Sequence, residues 1–355
     1  MWRTDPDRKA WKQQQEFNQR QYRKNPQAPR VVMLPVESIA VDSCRLRCWN
    51  VADWLRRNGW RVTVLPAAFS RENRQDIISR EHAQALIFFG GVGPHDDPSM
   101  YGDLPVVLDL DLPRYLADRW RAQLENMATM ASACVASSEH IAAWFRKFNA
   151  RTQVIWTTTP EPKKRPRPRP ADRKPVVAWT ATGVDSDAHD LQLVCEASKK
   201  LVERRPFELW LSAATLTREQ KRELKQAGVR ARLLPAMTFD ERVATWRRAA
   251  VGLQVSGPEQ GKLFNNALTC LAADAACVVS YASEHRQFFR DGENGRVAAG
   301  LEQWVDAIDE LLSDAGRRST LVDAARQDYL KRLTTPAAGE HLDHLLRRVI
   351  REHFR

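Results

Sequence analysis

The chain has 355 residues, 43% hydrophobic and 28% charged, with 55 Lys and Arg against 44 Asp and Glu for a formal charge of +11. Such a length supplies two ordinary domains, each able to bury its own core, and the balance excludes collagen-like, disulfide-stapled and intrinsically disordered chains. No apolar run reaches the roughly 20 residues that a membrane-spanning helix needs. The opening MWRTDPDRKAWKQQQ has no apolar signal core, so the expectation is a cytoplasmic protein. Its positive charge favours anionic partners: nucleic acid, phosphate-bearing substrates or the inner face of an anionic membrane, touched peripherally.

Residues 1–29 are polar, rich in Gln and Arg, and read as a basic arm peripheral to the fold. From Arg30 the pattern changes. VVMLPV (Val31–Val36) is a buried-strand run, followed by an amphipathic helix through Trp54 and Leu55, a glycine (Gly59) and a second strand at Trp60–Pro66. Strand, helix, glycine, strand is the opening of a βαβ unit. Further strands are expected at Ala85–Gly90, Pro105–Asp111, Ala133–Ser138 and Thr152–Trp156, and Ser137 or Ser138 caps a helix over Glu139–Phe148. Near-continuous apolar strands fit a parallel sheet covered on both faces.

The segment PEPKKRPRPRPADRKP (Pro160–Pro175) alternates Pro with basic residues. It predicts an extended linker, since Pro removes donors and fixes φ. The expected organisation is a Rossmann-like domain over 30–157, a linker over 158–175, a second Rossmann-like domain over 176–335 and a terminal helix over 336–355.

In the second domain, strands are expected at Val176–Ala181, Glu208–Ala213, Ala231–Ala236, Val251–Ser256 and Ala276–Ser280. Helices alternate with them, and Thr217 with Gln220 forms a capping-box pattern. The six cysteines give no framework: Cys134, Cys195, Cys270 and Cys277 lie in apolar runs, and Cys44 with Cys48 lacks a second pair to complete a zinc site. No metal is expected. GGVGPHDDP (Gly90–Pro98) is glycine-rich but no GK[ST] follows, so it is not a nucleotide P-loop.

Gly261, Lys262, Ala272, Val278, Ser280, Asp291, Gly292, Asn294 and Gly295 follow a pattern of glycine and lysine before a helix, a buried strand, then D-G-x-N-G. This resembles the donor segment of retaining GT-B glycosyltransferases of glycosyltransferase family 4. The family's glutamate, lysine, glycine and proline are replaced by Thr269, Asn266, Asp274 and Ala276, so the motif is degenerate. SCRLRCWNVADWLRRNGWRVTVLP (Ser43–Pro66), VVLDLD (Val106–Asp111) and AWTATGVDSDAHDL (Ala178–Leu191) are similar to other segments of that group.

The resemblance implies two Rossmann-like doubly wound domains facing each other across a cleft, and transfer of a sugar from a nucleotide-sugar donor without a cofactor or metal. The donor side then comprises Thr182, Gly183, Ser212, Met237, Gly261, Lys262, Asn265, Asn266 and Thr269. The acceptor side comprises Ser43, Arg45, Arg47 and His95, with Asp109, Asp111 and Glu259 as catalytic carboxylates. Sugar transfer requires the diphosphate charge to be offset by helix N-termini and basic side chains, and a carboxylate to receive or hold a hydroxyl. Acceptors in keeping with these expectations are a cell-surface glycan, a lipid-linked intermediate or nucleic acid. The lost glutamate and lysine favour instead a catalytically inactive GT-B-like binding protein, and a sugar-nucleotide epimerase of the same fold is a third reading.

Overall fold

The computed structural model describes residues 5–162, 168–181, 187–256 and 265–355. They fall into two compact units: Met1–Glu161 with Arg332–Arg355, and Pro162–Lys331.

The first unit begins with α1 (Pro6–Lys24), followed by β1 (Arg30–Pro35). Next come α2 (Asp42–Cys44), a π-helical turn over Arg45–Trp49 and α3 (Asn50–Arg57). The remaining elements are β2 (Arg61–Val64), α4 (Arg71–Arg80), β3 (Ala85–Phe89), β4 (Val106–Leu110), α5 (Asp118–Met130), β5 (Ala133–Ala136), α6 (Glu139–Phe145) and β6 (Thr152–Val154). The six strands form one parallel sheet in the order β2-β1-β3-β4-β5-β6. Successive side chains go to opposite faces. Val31, Met33, Ile87 and Val107 enter one core, and Val32, Leu34, Leu86 and Leu108 enter the other. The unbroken apolar runs in the sequence are this double burial. Ser138 caps α6, accepting from the Ile141 amide at 3.3 Å.

The segment read as a peripheral arm is the 19-residue helix α1, capped by Asp5. It docks through Ala10 and Trp11, the latter 5.0 Å from the Phe69 ring, and through buried amides. Gln14 donates to the Val64 carbonyl at 2.6 Å and accepts from the Val64 amide at 2.9 Å, while Asn18 donates to the Val62 carbonyl at 3.0 Å. β2 is the edge of the sheet, and these side chains satisfy backbone groups that an edge strand leaves open.

The second unit contains β7 (Lys174–Thr180), α7 (Asp187–Arg204), β8 (Glu208–Ser212), α8 (Arg218–Gln226), β9 (Arg230–Leu234), α9 (Phe239–Trp246) and β10 (Ala249–Gln254). It continues with α10 (Asn265–Ala272), β11 (Ala276–Ser280), α11 (Ser283–Arg286), β12 (Arg296–Ala298), α12 (Leu301–Ser313) and α13 (Ala315–Arg332). Its sheet is again parallel, in the order β12-β11-β10-β7-β8-β9. Thr217 and Gln220 form the expected capping box, and Thr238 with Glu241 forms a second. Gly252 in β10 is required by packing: a Cβ there would lie 2.1 Å from Cys270 Sγ. The Asp291–Gly295 turn is held by Asp291, whose carboxylate accepts from the Val297 amide at 2.8 Å, and by Gly292 at φ +73.

The Pro-rich segment is anchored where it is described. Arg173 is buried and donates to the carbonyls of Ala249 at 3.0 Å and Ala273 at 2.7 Å, and Arg318 donates to the Pro170 carbonyl at 2.9 Å. A short 3₁₀ turn at Pro170–Asp172 interrupts the expected extended chain.

The last helix, α14 (Thr335–His353), belongs to the first unit. Leu342, Leu345, Leu346 and Val349 share a core with Val51 and Leu55 of α3, and a Cβ at Gly339 would sit 2.2 Å from the Trp54 ring. All six cysteines are free and buried. Burial pushes the Cys48 thiol well up, which keeps it a neutral hydrophobe. Among the described residues, no helix is long and apolar enough to cross a membrane.

Candidate active site

In the first sheet the chain winds outward from β1 to β2 and then returns to place β3 on the other side of β1. A doubly wound sheet opens a crevice at the carboxyl ends of its strands where the winding reverses. A pocket lies there, lined by Glu37 after β1, Ser43 and Arg47 from the following helix, Asp109 and Asp111 at the end of β4, and Arg114. Gly90, at φ +90, lets the chain leave β3 beside it, where a Cβ would meet Val36 at 2.5 Å.

The charges of this pocket are paired in a fixed pattern. Arg47 Nε donates to Asp109 Oδ1 at 2.6 Å, with both side chains 5% exposed. Its Nη1 donates to the Ile155 carbonyl at 2.7 Å, while Nη2 is buried without a partner. Arg114 Nη2 donates to Glu37 Oε1 at 2.6 Å, and the Ser43 hydroxyl donates to Glu37 Oε2 at 3.0 Å. Burial pushes the Asp109 carboxyl up to about 6, against the pull of Arg47 and with a smaller push from Asp111. Burial also raises Asp111, opposed by Arg114 and Arg47. Two carboxyls whose protons come off nearer neutrality than usual are suited to hold or receive a hydroxyl proton.

The structure thus brings together Ser43, Arg47, Asp109 and Asp111. Glu37 and Arg114, which sequence reasoning passed over, belong with them. Their signal was positional, since each lies just beyond the carboxyl end of a strand beside the reversal. The other two acceptor-side residues go elsewhere. Arg45 pairs with Asp42 at 3.4 Å and lines a separate groove between α1 and α3. His95 is absent from the pocket lining; its loop is pinned by Asp96, which is 1% exposed, accepts from the Gly93 amide at 2.9 Å and pairs with Arg74 at 3.1 Å.

At the carboxyl edge of the second sheet, the described side chains that tie the strand ends together are mainly amides and hydroxyls, with the buried His285 Nδ1 3.0 Å from the Ser280 carbonyl. Ser212 is fully buried and donates to the Pro235 carbonyl at 2.9 Å. Asn266 Nδ2 donates to the Thr180 carbonyl at 2.9 Å, tying α10 to β7, while its Oδ1 is buried without a partner. Gln254 Oε1 accepts from the amides of both Asn266 and Ala267 at 3.1 Å, closing part of the α10 N-terminus. Ser280 Oγ accepts from the Ser256 amide at 2.8 Å. The Met237 carbonyl accepts from Arg242 at 2.7 Å.

This alters the expected donor set. Asn266 has its amide nitrogen committed to Thr180 and serves as a brace. Thr269, expected where the family carries its glutamate, is 0% exposed within α10 and presents no surface to a ribose. Thr182, Gly183, Glu259, Gly261 and Lys262 lie outside the described residues, as does the side chain of Asn265. Among the described residues, no group of His, Cys, Asp and Glu is placed to hold a metal ion.

Residues 209–338 match the family model described as glycosyl transferase-like. No curated protein matches the sequence. Among solved structures, a glycosyltransferase from Rickettsia africae ESF-5 is 9% identical, with 91% of this chain and 99% of that one covered at a TM-score of 0.69. Sucrose-phosphate synthase from Thermosynechococcus elongatus is 12% identical, covering 91% and 100% at 0.67. HepE from Anabaena, crystallised with UDP-glucose, is 12% identical, covering 90% and 99% at 0.65. The fold is that of the GT-B glycosyltransferases: two Rossmann-like units, each with a six-stranded parallel sheet.

Proposed function

We propose that the protein is a glycosyltransferase that takes a nucleotide-sugar donor and transfers its sugar to an acceptor alcohol. The observation that carries this reading is a coincidence on one chain. The glycosyl transferase-like match falls on residues 209–338, within the second unit but for its last residues, while likeness to whole glycosyltransferases extends over nine-tenths of the chain. HepE was crystallised with UDP-glucose, which supports a uridine diphosphate sugar as the first donor to test. In the reaction, the acceptor oxygen forms a bond to the anomeric carbon as the bond from that carbon to the diphosphate oxygen breaks. The nucleoside diphosphate leaves with the electron pair, and the hydroxyl proton passes to the Asp109 carboxylate. Asp111 holds the acceptor, and Arg47 keeps Asp109 in place. The donor's diphosphate is assigned to the segment containing Gly261 and Lys262, on the resemblance of that segment.

Calorimetric and thermal-shift titrations with UDP, GDP, ADP, CDP and their common sugars test this, with Lys262→Ala alongside. A donor at 100 times its dissociation constant stabilises the fold by about 2.7 kcal/mol. One nucleotide is expected to give such a shift, weakened by Lys262→Ala. No response to any of the four nucleotides sinks the transferase reading.

A further inference from the structure

We propose that the pocket at the carboxyl edge of the first sheet is a hydroxyl-binding subsite that takes the alcohol of a neutral, polyhydroxylated acceptor and rejects a phosphorylated one. This rests on the transferase reading above and names the acceptor's chemistry. Three features of the pocket carry it, and each is independent of the donor side.

The first is size. The volume open to a water-sized group is about 20 Å³, the room of about one water molecule. A hydroxyl fits such a space, and a phosphate with its three outer oxygens does not.

The second is charge. Three carboxyls (Glu37, Asp109, Asp111) face two guanidinium groups (Arg47, Arg114) in the lining. Both cations are engaged, Arg47 with Asp109 and Arg114 with Glu37. Asp111 has no ion-pair partner among the described residues, so the pocket carries one surplus negative charge whenever its carboxyls are ionised. A phosphate brought here meets like charge in a desolvated place, where repulsion is strongest.

The third is the mixture of donors and acceptors. Arg47 Nη2 and Arg114 Nε are buried donors without partners. Asp109 uses one oxygen on Arg47, and Asp111 accepts from its own backbone amide with no side-chain hydrogen bond to another described residue, which leaves acceptor capacity on both carboxyls. A hydroxyl both donates and accepts, so it satisfies a wall that offers spare donors beside spare acceptors. The phosphoryl group of a phosphate monoester dianion only accepts and leaves the carboxyl oxygens facing its own.

The test uses the full chain, with ligand-observed NMR titrations of methyl glucoside, methyl galactoside and glycerol, and of glucose 6-phosphate and inorganic phosphate. Each is run with and without UDP, on the wild type and on Asp111→Asn. Neutral ligands are expected to bind at least about tenfold tighter than their phosphorylated counterparts, a difference of 1.4 kcal/mol or more. Asp111→Asn is expected to shrink that ratio severalfold, by weakening the neutral ligands and admitting the phosphates. Phosphorylated ligands binding as tightly as neutral ones, or a ratio unmoved by Asp111→Asn, overturns the proposal. So does failure of all three neutral ligands to bind while UDP binds. If none of UDP, GDP, ADP and CDP binds while the neutral preference and its dependence on Asp111 persist, the subsite stands and the transferase reading falls.

Discussion

The two sheets share strand number, direction and winding, yet their carboxyl edges are built from different chemistry. In the first unit, Glu37, Arg47, Asp109, Asp111 and Arg114 crowd one pocket with five ionisable side chains. In the second, among the described residues, Thr180, Ser212, Gln254, Asn266 and Ser280 join the strand ends and α10 through neutral amides and hydroxyls, with His285 at the Ser280 carbonyl. The difference teaches how one scaffold divides its labour. A neutral edge stiffens loops through many small bonds, each worth about 1 kcal/mol. A charged one holds groups whose protonation responds to what binds, and it concentrates its energy in a few pairs that fail together.

The sharpest way to break this comparison is to remove one partner on each side. Arg47→Met keeps volume but leaves Asp109 buried without its cation. The expected loss is about 3–5 kcal/mol. Asn266→Ala removes one bond to the Thr180 carbonyl, with an expected loss of about 1–2 kcal/mol. Hydrogen exchange of the β3–β4 amides against those of β7–β10 reads each unit separately, since two units need not unfold in one transition. Equal losses from the two variants would show that charge does not set the first edge apart.

A second test exploits the titration of the charged pocket. The Asp109 carboxyl is raised from 3.8 to about 6 in the folded chain, chiefly by burial. A raised folded value means that the folded state holds the proton more tightly than the unfolded chain. The contribution to stability is therefore fully present below the unfolded value and is lost as pH rises through about 6. About two units of displacement correspond to roughly 3 kcal/mol. Protection of the β3–β4 amides is expected to fall between pH 4 and pH 7, with Asp111 adding to the same trend because it too is raised by burial. Asp109→Asn flattens most of the trend. A flat profile in the wild type refutes the raised carboxyl.

How much of this was legible in the sequence depends on what kind of interaction carried each part. The strands were read to within a residue or two because both faces of each sheet are apolar, so Val31–Val36 or Ala276–Ser280 leave an unbroken hydrophobic record. Asp109 and Asp111 were legible because charged residues ending such a run stand out. The Arg47–Asp109 pair was not, since 62 positions separate its members and only the fold brings them together. The docking of α1 was missed for a different reason. Its inward face mixes Ala10 and Trp11 with Gln14 and Asn18, which bond to the edge of β2, so the apolar stripe is too broken by amides to stand out. β12 is three residues long, too short for alternation to register.

Gln254 gives the smallest effect and the finest discrimination between the two edges. It is 1% exposed, and its carbonyl oxygen takes the amides of Asn266 and Ala267, the work that a serine or aspartate cap does elsewhere. Gln254→Ala is expected to cost about 1 kcal/mol, seen as faster exchange at the first turn of α10 and little change in the first unit. Because the cap is an uncharged amide, this loss should be the same at pH 5 and pH 8, whereas the loss from Arg47→Met should shrink at pH 5 as Asp109 takes up its proton and no longer needs a cation. A Gln254→Ala penalty that varies with pH would couple this cap to an ionising group, and the division between a charged pocket and an amide-tied edge would have to be withdrawn.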